Sequence, residues 1–345
     1  MLTKQQLMKK TAIISVAFSI IALSLVFYFM KNQVFAVATD TVSADTDTVE
    51  VTREQVSGGE VTEVSRLQLE EDAQQAYLNI PLEAGLGADR ITVENHYMDR
   101  QVWIGLKGVT EAAYADKKLT GNTGHIKGGT YEEMNGTLWL KMDLDGVFEV
   151  KSILENGALY INLLSPREVY SRIVVIDAPY EESAVVADVV TRLQEMTKDP
   201  AIKIYYTTAS QDGTDQRVAQ RVGLANEVKA DMLISLCTGT EVDSSIYGTT
   251  AFYNDTYFIP AFGSIELADI VERDVVTAIS GKALGLTFDK NREILTQATV
   301  PAVVLQLGYL SNAQEKKLLE RNDYQEKIAA GILQAIQDAY KVIPQ

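Results

Sequence analysis

The stretch Pro301–Asn312 combines a buried strand with one polar side chain near its carboxyl end, which is where α/β sheets carry their chemistry. A run of apolar residues predicts the strand, and Gly308 followed by Ser311 and Asn312 predicts a turn into a helix N-terminus. The polar side chain is Gln306. A carboxamide donates and accepts hydrogen bonds, but it cannot take a proton from water at neutral pH.

Few other side chains are typical of hydrolytic chemistry. The chain has one cysteine, Cys237, which excludes an internal disulfide, and two histidines, His96 and His125. Both histidines lie far apart in the first half of the chain and lack ligand-like neighbours, so a structural or surface role is expected for each. No Ser/His/Asp or Cys/His arrangement is therefore predicted in the second half.

The composition indicates a globular protein rather than a disordered one, because 46% of its residues are hydrophobic. A length of 345 residues allows two ordinary domains and additional segments. The net charge of −16 disfavours nucleic acid and anionic membrane surfaces as electrostatic partners. We therefore expect no nucleic-acid partner.

One uncharged segment, Thr11–Met30, is apolar and long enough to cross a bilayer as a helix. Three lysines precede it and only Lys31 follows closely, which predicts a cytoplasmic N-terminus (residues 1–10) and an extracytoplasmic body. This favours a single-pass protein of the cell membrane. A signal peptide cleaved near Ala38 is the alternative, and it would give a secreted protein.

The next two segments differ in character. Residues 31–65 are acidic and poor in large apolar residues, which predicts a flexible linker. Residues 66–168 contain several short alternating runs and turn signals, which predict a small all-β sandwich, after a possible short helix at Arg66–Tyr77. Three aromatic residues there offer a sugar-stacking face, although such residues are more often core: Trp103, Tyr131 and Trp139.

Residues 169–345 alternate between strand and helix patterns. The predicted strands include Ile173–Asp177, Ile202–Thr207 and Met232–Leu236, and a long helix is predicted at Ser264–Ala283. This alternation is typical of a mostly parallel, twisted sheet with helices on both faces. The fold class is therefore α/β, preceded by the β sandwich and the transmembrane helix.

Four segments of this second domain resemble, in order and spacing, the catalytic domain of zinc-dependent N-acetylmuramoyl-L-alanine amidases, the Amidase_3 family. The segments are Ile173–Asp177, Arg221–Ser235, Pro301–Asn312 and Gln325–Tyr340. The resemblance covers Arg172–Tyr340 and implies hydrolysis of the amide between N-acetylmuramic acid and L-alanine. Residues 66–168 resemble, more weakly, the AMIN-type domains that precede such amidases and bind peptidoglycan.

The resemblance implies a zinc ion held by two His and one Glu, with a further Glu as general base. In this chain Tyr180 and Cys237 stand at the two His positions, Glu182 stands at the ligand Glu, ten residues before Arg192, and Gln306 stands at the base. Only Glu182 is retained, so a degenerate member without bound zinc is expected. The remaining motif residues are expected to be structural: Asp177, Arg221, Asn226, Asp231, Gly308, Ser311 and Asn312.

Three functions remain open from the sequence. The first is an inactive amidase-like protein that binds peptidoglycan or a cell-wall partner. The second is an active but divergent amidase, with zinc in a remodelled site that recruits Asp177 or Asp243. The third is an exported scaffold without a glycan role.

Overall fold

The computed structural model describes residues 39–40, 65–179, 183–207, 218–255, 258–259 and 262–343. The predicted transmembrane segment Thr11–Met30 and most of the predicted linker lie outside these ranges. Within the described ranges, no helix has the length and hydropathy needed to cross a membrane. Thr39–Asp40 form a short strand that pairs in parallel with Glu94 and Asn95, so this part of the predicted linker is held against the β-rich segment.

The β-rich segment forms two five-stranded sheets, with strand orders β1-β4-β5-β8-β7 and β2-β6-β3-β10-β9. The strands are β1 Thr39–Asp40, β2 Gln68–Glu71, β3 Leu78–Pro81, β4 Ile91–His96, β5 Gln101–Lys107, β6 Lys118–Gly121, β7 Ile126–Met134, β8 Thr137–Leu144, β9 Glu149–Glu155 and β10 Ala158–Leu164. Two short 3-10 helices, Ala88–Arg90 and Glu111–Ala113, connect them.

The two sheets enclose a single hydrophobic core because their strands alternate between buried and exposed residues. Ile80 and Leu159 contribute from one sheet, and Ile104 and Leu140 contribute from the other. The short helix predicted at Arg66–Tyr77 is wrong, because Gln68–Glu71 pair in parallel with β6. Pairing with a distant strand decides the conformation there, and local propensity does not.

The second domain contains eight further strands and seven helices among the described residues. The strands are β11 Arg172–Asp177, β12 Ile202–Thr207, β13 Met232–Gly239, β14 Thr249–Tyr253, β15 Phe258–Ile259, β16 Phe262–Gly263, β17 Ala283–Phe288 and β18 Ala302–Tyr309. The helices are α1 Pro166–Val169, α2 Ala184–Met196, α3 Val218–Glu227, α4 Ser264–Ile279, α5 Glu293–Thr296, α6 Ala313–Leu319 and α7 Asn322–Val342.

A six-stranded sheet with the order β12-β11-β13-β18-β14-β17 is the centre of this domain. The first four strands run parallel, whereas β14 is antiparallel to β18 and parallel to β17. Helices α2, α4 and α7 pack on one face of the sheet. Helices α3 and α5 pack on the other face. The mixed α/β fold predicted for this region is therefore confirmed.

The helix predicted at Ser264–Ala283 is too long. Helix α4 ends at Ile279, because Ser280 adopts a left-handed conformation with φ of 52°. The chain then enters strand β17, which the sequence analysis missed. Strand β17 lies at the edge of the sheet and most of its residues are exposed, so it lacks the apolar run by which a buried strand is recognised.

The sandwich packs against the open edge of the sheet at strand β12. The hydroxyl of Tyr97 donates to the carbonyl oxygen of Tyr206 at 2.9 Å and accepts from its backbone N–H at 3.2 Å. Glu149 accepts a hydrogen bond from the hydroxyl of Tyr205 and lies 3.3 Å from the ammonium of Lys203. The sandwich thus covers backbone groups that an edge strand would otherwise expose.

We expect Tyr97→Phe to lower the free energy of unfolding by about 1–2 kcal/mol, because two buried backbone groups of Tyr206 would lose their partner. Tyr160→Phe is the matched control, since Tyr160 lies in strand β10 and is only partly buried. Urea unfolding of the full-length chain measures both. Equal effects of the two substitutions would contradict the role given to the Tyr97 hydroxyl.

Candidate functional site

Five side chains from four neighbouring strands lie at the carboxyl edge of the parallel part of the sheet. Asp177 pairs in register with Thr207 on one side and with Ser235 on the other, and Cys237 pairs with Gln306. Along each strand, these five lie at the same alternate positions as the residues that pack under helices α3 and α5. The strand register therefore places them on one face of the sheet, in a row across its carboxyl edge.

Asp177 is fully buried and links Thr207 and Ser235 of this row. One carboxylate oxygen accepts hydrogen bonds from the Thr207 hydroxyl and from Arg221 Nε at 2.9 Å, and the other accepts from the Ser235 hydroxyl at 2.6 Å. Both oxygens are engaged and the residue is 0% exposed, so this carboxylate is not presented to a metal ion. Asp243, the other carboxylate considered for a remodelled site, accepts from the backbone N–H of Ser245 in an exposed loop.

Gln306 and Cys237 are adjacent and both buried. Gln306 is 7% exposed, and its amide nitrogen has no hydrogen-bond partner among the described residues. A Cβ on Gly239 would lie 2.4 Å from this nitrogen, so any larger residue at position 239 would require the Gln306 amide to shift. Cys237 packs among apolar residues of the α3 face, which include Val304. The edge thus holds a thiol and a carboxamide in a largely apolar setting.

The two described residues at the family's chemical positions, Gln306 and Cys237, do not supply the His ligand and the Glu base that the resemblance implies. A carboxamide at position 306 is neutral and cannot act as a general base, and Cys237 is the one zinc ligand by type at the described family positions. Tyr180 and Glu182 lie outside the described residues. In the described part of the chain, no three His, Cys, Asp or Glu residues are grouped so that they could hold a metal ion.

The other motif residues brace the ends of the strands. Arg221 on α3 reaches Asp177. Asn226, near the end of α3, accepts hydrogen bonds from the backbone N–H and the hydroxyl of Thr299, at 2.8 Å each. Asp231 accepts from Arg167 at 2.6 Å, from the backbone N–H of Ile173 and from the hydroxyl of Tyr340. Burial and the nearby Asp231 carboxylate raise the pKa of Tyr340, so its phenol stays protonated and donates.

The turn after β18 is built around Asn312 and Glu315. Asn312 caps α6 by accepting from the backbone N–H groups of Gln314 and Glu315, and its amide donates to the carbonyl of Ser244. Glu315 accepts from the backbone N–H of Tyr309 at 2.6 Å and of Gly248 at 2.9 Å. Burial raises the pKa of Glu315. The turn therefore fixes the loop that precedes β14.

Ser311 and Gly308 complete this turn. The Ser311 hydroxyl accepts from the backbone N–H of Glu241 at 3.0 Å. Gly308 is close to the Glu315 carboxyl group. The sequence analysis missed Glu315, although its position three residues after Asn312 is a known signal of a helix N-terminus. It also missed Gly239, for which the sequence offers no local signal.

We expect Gly308→Ala to destabilise the protein by about 1–3 kcal/mol, because the added Cβ would lie 2.8 Å from the Glu315 carboxyl carbon. Gly223→Ala is the matched control. Gly223 lies within helix α3 and a Cβ there meets no atom within 4 Å, so alanine should stabilise by up to about 1 kcal/mol. Thermal unfolding measures both changes, and a neutral Gly308→Ala would contradict the tight turn.

The three aromatic residues of the predicted sugar-stacking face do not lie on one surface. Tyr131 is buried in the core of the sandwich, whereas Trp103 and Trp139 lie partly exposed on the outer face of a sheet. Their rings contact edge to face at 6.0 Å between centroids. His96 lies against Trp103 and is 3.0 Å from Glu94, and His125 is 3.2 Å from Asp145 on the surface. The sandwich histidines are therefore paired with carboxylates within their own domain.

The second domain has a mixed α/β sheet with polar side chains at its carboxyl edge, and part of it is similar to known proteins. Residues 173–338 match the family model described as N-acetylmuramoyl-L-alanine amidase, Amidase_3. This confirms the predicted resemblance of the second domain to the amidase family. The AMIN-like character of residues 66–168 stays a prediction.

Curated proteins are similar to part of the chain, and two of them are named as amidases. The N-acetylmuramoyl-L-alanine amidase CwlM of Mycobacterium tuberculosis is 30% identical over 127 residues, which are 35% of this chain and 30% of CwlM. An uncharacterised cell wall amidase of Bacillus anthracis is 26% identical over 173 residues, which are 46% of this chain and 32% of that protein. The chain thus spans about a third of the length of these two relatives.

Solved structures are similar to about half of the chain. The catalytic domain of CwlV, an N-acetylmuramoyl-L-alanine amidase from Bacillus (Paenibacillus) polymyxa, is 24% identical with a TM-score of 0.43, and the match covers 50% of this chain and 99% of CwlV. An N-acetylmuramoyl-L-alanine amidase from Clostridium difficile is 21% identical with a TM-score of 0.44, covering 49% of this chain and 97% of that one.

Proposed function

We propose that this chain is an amidase-like protein of the bacterial cell wall that binds peptidoglycan, or a partner in wall remodelling, without cleaving it by the zinc mechanism. The amidase-family match of residues 173–338 supports the assignment to the cell wall. The loss of hydrolysis is the further step, and it rests on the side chains at the carboxyl edge of the sheet.

The observation that carries the proposal is the state of Gln306. The residue at the place of the general base is a buried carboxamide, and its nitrogen has no hydrogen-bond partner in the described part of the chain. Such a group neither accepts a proton from water nor binds zinc as an anion. Asp177, Asn226 and Asp231 still form hydrogen bonds that stabilise the fold. Position 306, in contrast, carries no group for acid–base chemistry.

An active, divergent amidase is the second candidate. The curated relatives whose names include amidase favour it, since CwlM is similar over 35% of this chain and the Bacillus anthracis protein over 46%. In that case Cys237 would serve as a thiolate ligand together with Glu182, and another residue would act as the base. An exported scaffold without a glycan role is the third possibility, and the binding experiment below separates it from the first.

The proposal places the two domains outside the cell membrane, attached by the apolar segment Thr11–Met30. An extracytoplasmic position would bring the domains to the wall polymer. Signal-peptide cleavage near Ala38 would instead release the protein. The molecular mass of the chain recovered from membranes and from the released fraction distinguishes the two outcomes, because cleavage removes the N-terminal residues.

Sedimentation with insoluble peptidoglycan tests the proposed binding. We expect the full-length chain to sediment with the polymer and the polymer to remain intact during incubation. Retention without release of peptides supports the proposal. Release of peptides would favour the active amidase, and absence of retention would favour the scaffold.

A further inference from the structure

We propose that a cavity lined by none of the five residues at the carboxyl edge binds a small peptide through the free carboxylate of that peptide. The cavity has a volume of about 1020 Å³ and lies between the loop before β14, the turn from α4 to β17, and the beginnings of α6 and α7. Its volume is sufficient for a ligand of a few residues. Because its lining excludes Cys237 and Gln306, this inference stands apart from the proposed function.

The charged lining of the cavity favours an anion. Three basic residues, Lys282, Arg321 and Lys327, line it against two acidic ones, Glu315 and Asp323. The local balance is positive in a chain whose net charge is −16. A positive cavity in an acidic protein attracts anions to that place while the rest of the surface repels them.

The two acidic residues are already engaged. Asp323 pairs with the guanidinium of Arg321 through contacts of 2.9 and 2.6 Å. Glu315 accepts two backbone N–H groups within the turn. Lys282 and Lys327 are exposed, and neither ammonium lies within ion-pair distance of a carboxylate of the described residues, although Lys282 attracts Glu315 and Lys327 attracts Asp323 at longer range. These two ammonium groups are therefore the ones that a ligand carboxylate would meet.

The rim of the cavity also offers apolar contact. Tyr247 is 48% exposed and Leu318 is 38% exposed, and both line the cavity. The Lys282 ammonium lies 4.5 Å from the centroid of the Tyr247 ring, which holds this charge at the rim. An exposed apolar pair beside fixed positive charge suits a ligand that carries both an alkyl group and a carboxylate.

The walls of the cavity are fixed by backbone geometry. Gly248 has φ of +124° and is tied to Glu315, and Ser280 has φ of 52° at the end of α4. Ser244 and Ser245 contribute short hydroxyl side chains to the lining. Hydroxyl groups pair with the amide groups of a peptide, and a fixed wall lowers the entropy that binding loses.

Saturation-transfer NMR with the full-length chain tests this inference, with N-acetyl-trialanine as the probe. We expect the free acid to bind with a dissociation constant of about 1 mM or lower. The same peptide with a C-terminal amide should bind about tenfold more weakly, and added salt should weaken the free acid. Inorganic phosphate is the competing ion.

The double variant Lys282→Gln/Lys327→Gln should weaken binding of the free acid by about tenfold. Lys317→Gln is the matched control, because Lys317 is an exposed lysine of α6 that does not line the cavity. Equal binding of the acid and the amide, no binding up to about 10 mM, or full displacement by equimolar phosphate would each overturn the proposal. An equal effect of the control variant would do so too.

Discussion

Asp177→Asn should lower the free energy of unfolding by about 3–5 kcal/mol, the largest effect expected in this protein outside the hydrophobic core. The carboxylate is fully buried and accepts from Thr207, Ser235 and Arg221. An asparagine amide would turn two N–H donors toward groups that already donate, and it would leave the half-buried Arg221 charge uncompensated. Urea unfolding of the full-length chain measures the change.

Two further variants sharpen this test. Asp243→Asn should change stability by less than about 0.5 kcal/mol, because Asp243 is exposed and an asparagine can still accept from Ser245. Arg221→Gln should be destabilising, but combined with Asp177→Asn it should cost less than the sum of the two single changes. Full additivity, or an Asp177→Asn effect as small as that of Asp243→Asn, would show that the buried carboxylate does not organise the edge.

Gln306→Glu should destabilise the protein by about 1–3 kcal/mol at neutral pH and should not produce amidase activity. The position is 7% exposed, and the side-chain nitrogen there has no partner in the described part of the chain. Burial would raise the pKa of the new carboxyl group above its value in the unfolded chain. The loss of stability would therefore be present above the pKa that the new carboxyl group has in the folded chain. It would disappear below about pH 4, where this group is protonated in both the folded and the unfolded chain.

Gln306→Met is the control for this variant, because methionine has a similar length and no polar group. It should leave stability within about 1 kcal/mol of the parent, since no hydrogen bond of the amide nitrogen is lost. Stability curves of both variants between acidic and neutral pH provide the measurement. A Gln306→Glu protein that is as stable as the parent at neutral pH would mean that this pocket still stabilises a carboxylate.

Much of the second domain was predictable because its central strands are continuous apolar runs. Strands β11 and β12 begin and end within a residue of their predicted bounds. Strand β17 was not predictable, since an exposed edge strand has no buried run and its partner β14 is distant in sequence. The strand Gln68–Glu71 was missed for the same reason, because a non-local partner, β6, determines it.

Part of the candidate site could likewise be predicted from the sequence, and part of it depends on the fold. The motif spacing identified Gln306, Cys237 and Asp177 before the structure placed them on one face. The hydrogen bonds that saturate Asp177 come from three separate elements, and only the fold brings these elements together. The close approach of Gly239 to Gln306 likewise depends on the strand register and leaves no mark in the local sequence.

The cavity beside α6 and α7 was not visible in the sequence either. Its lysines, Lys282 and Lys327, are separated in sequence by two strands and two helices, and each alone is typical of an ordinary surface charge. Their common position results from the antiparallel placement of β14 against β18, which brings the start of β17 to the carboxyl edge of the parallel strands. The clustering of these charges therefore depends on the order and direction of the strands, which the local sequence does not indicate.

Hydrolysis of muropeptides by the full-length chain, with one equivalent of added zinc, tests the central claim most directly. We expect no release of stem peptide above the level found with a metal chelator, because Gln306 cannot act as the base on a zinc-bound water. Zinc-dependent release that is abolished both by the chelator and by Cys237→Ser would contradict the account. It would show instead that the carboxyl edge of this sheet carries a divergent but working amidase site.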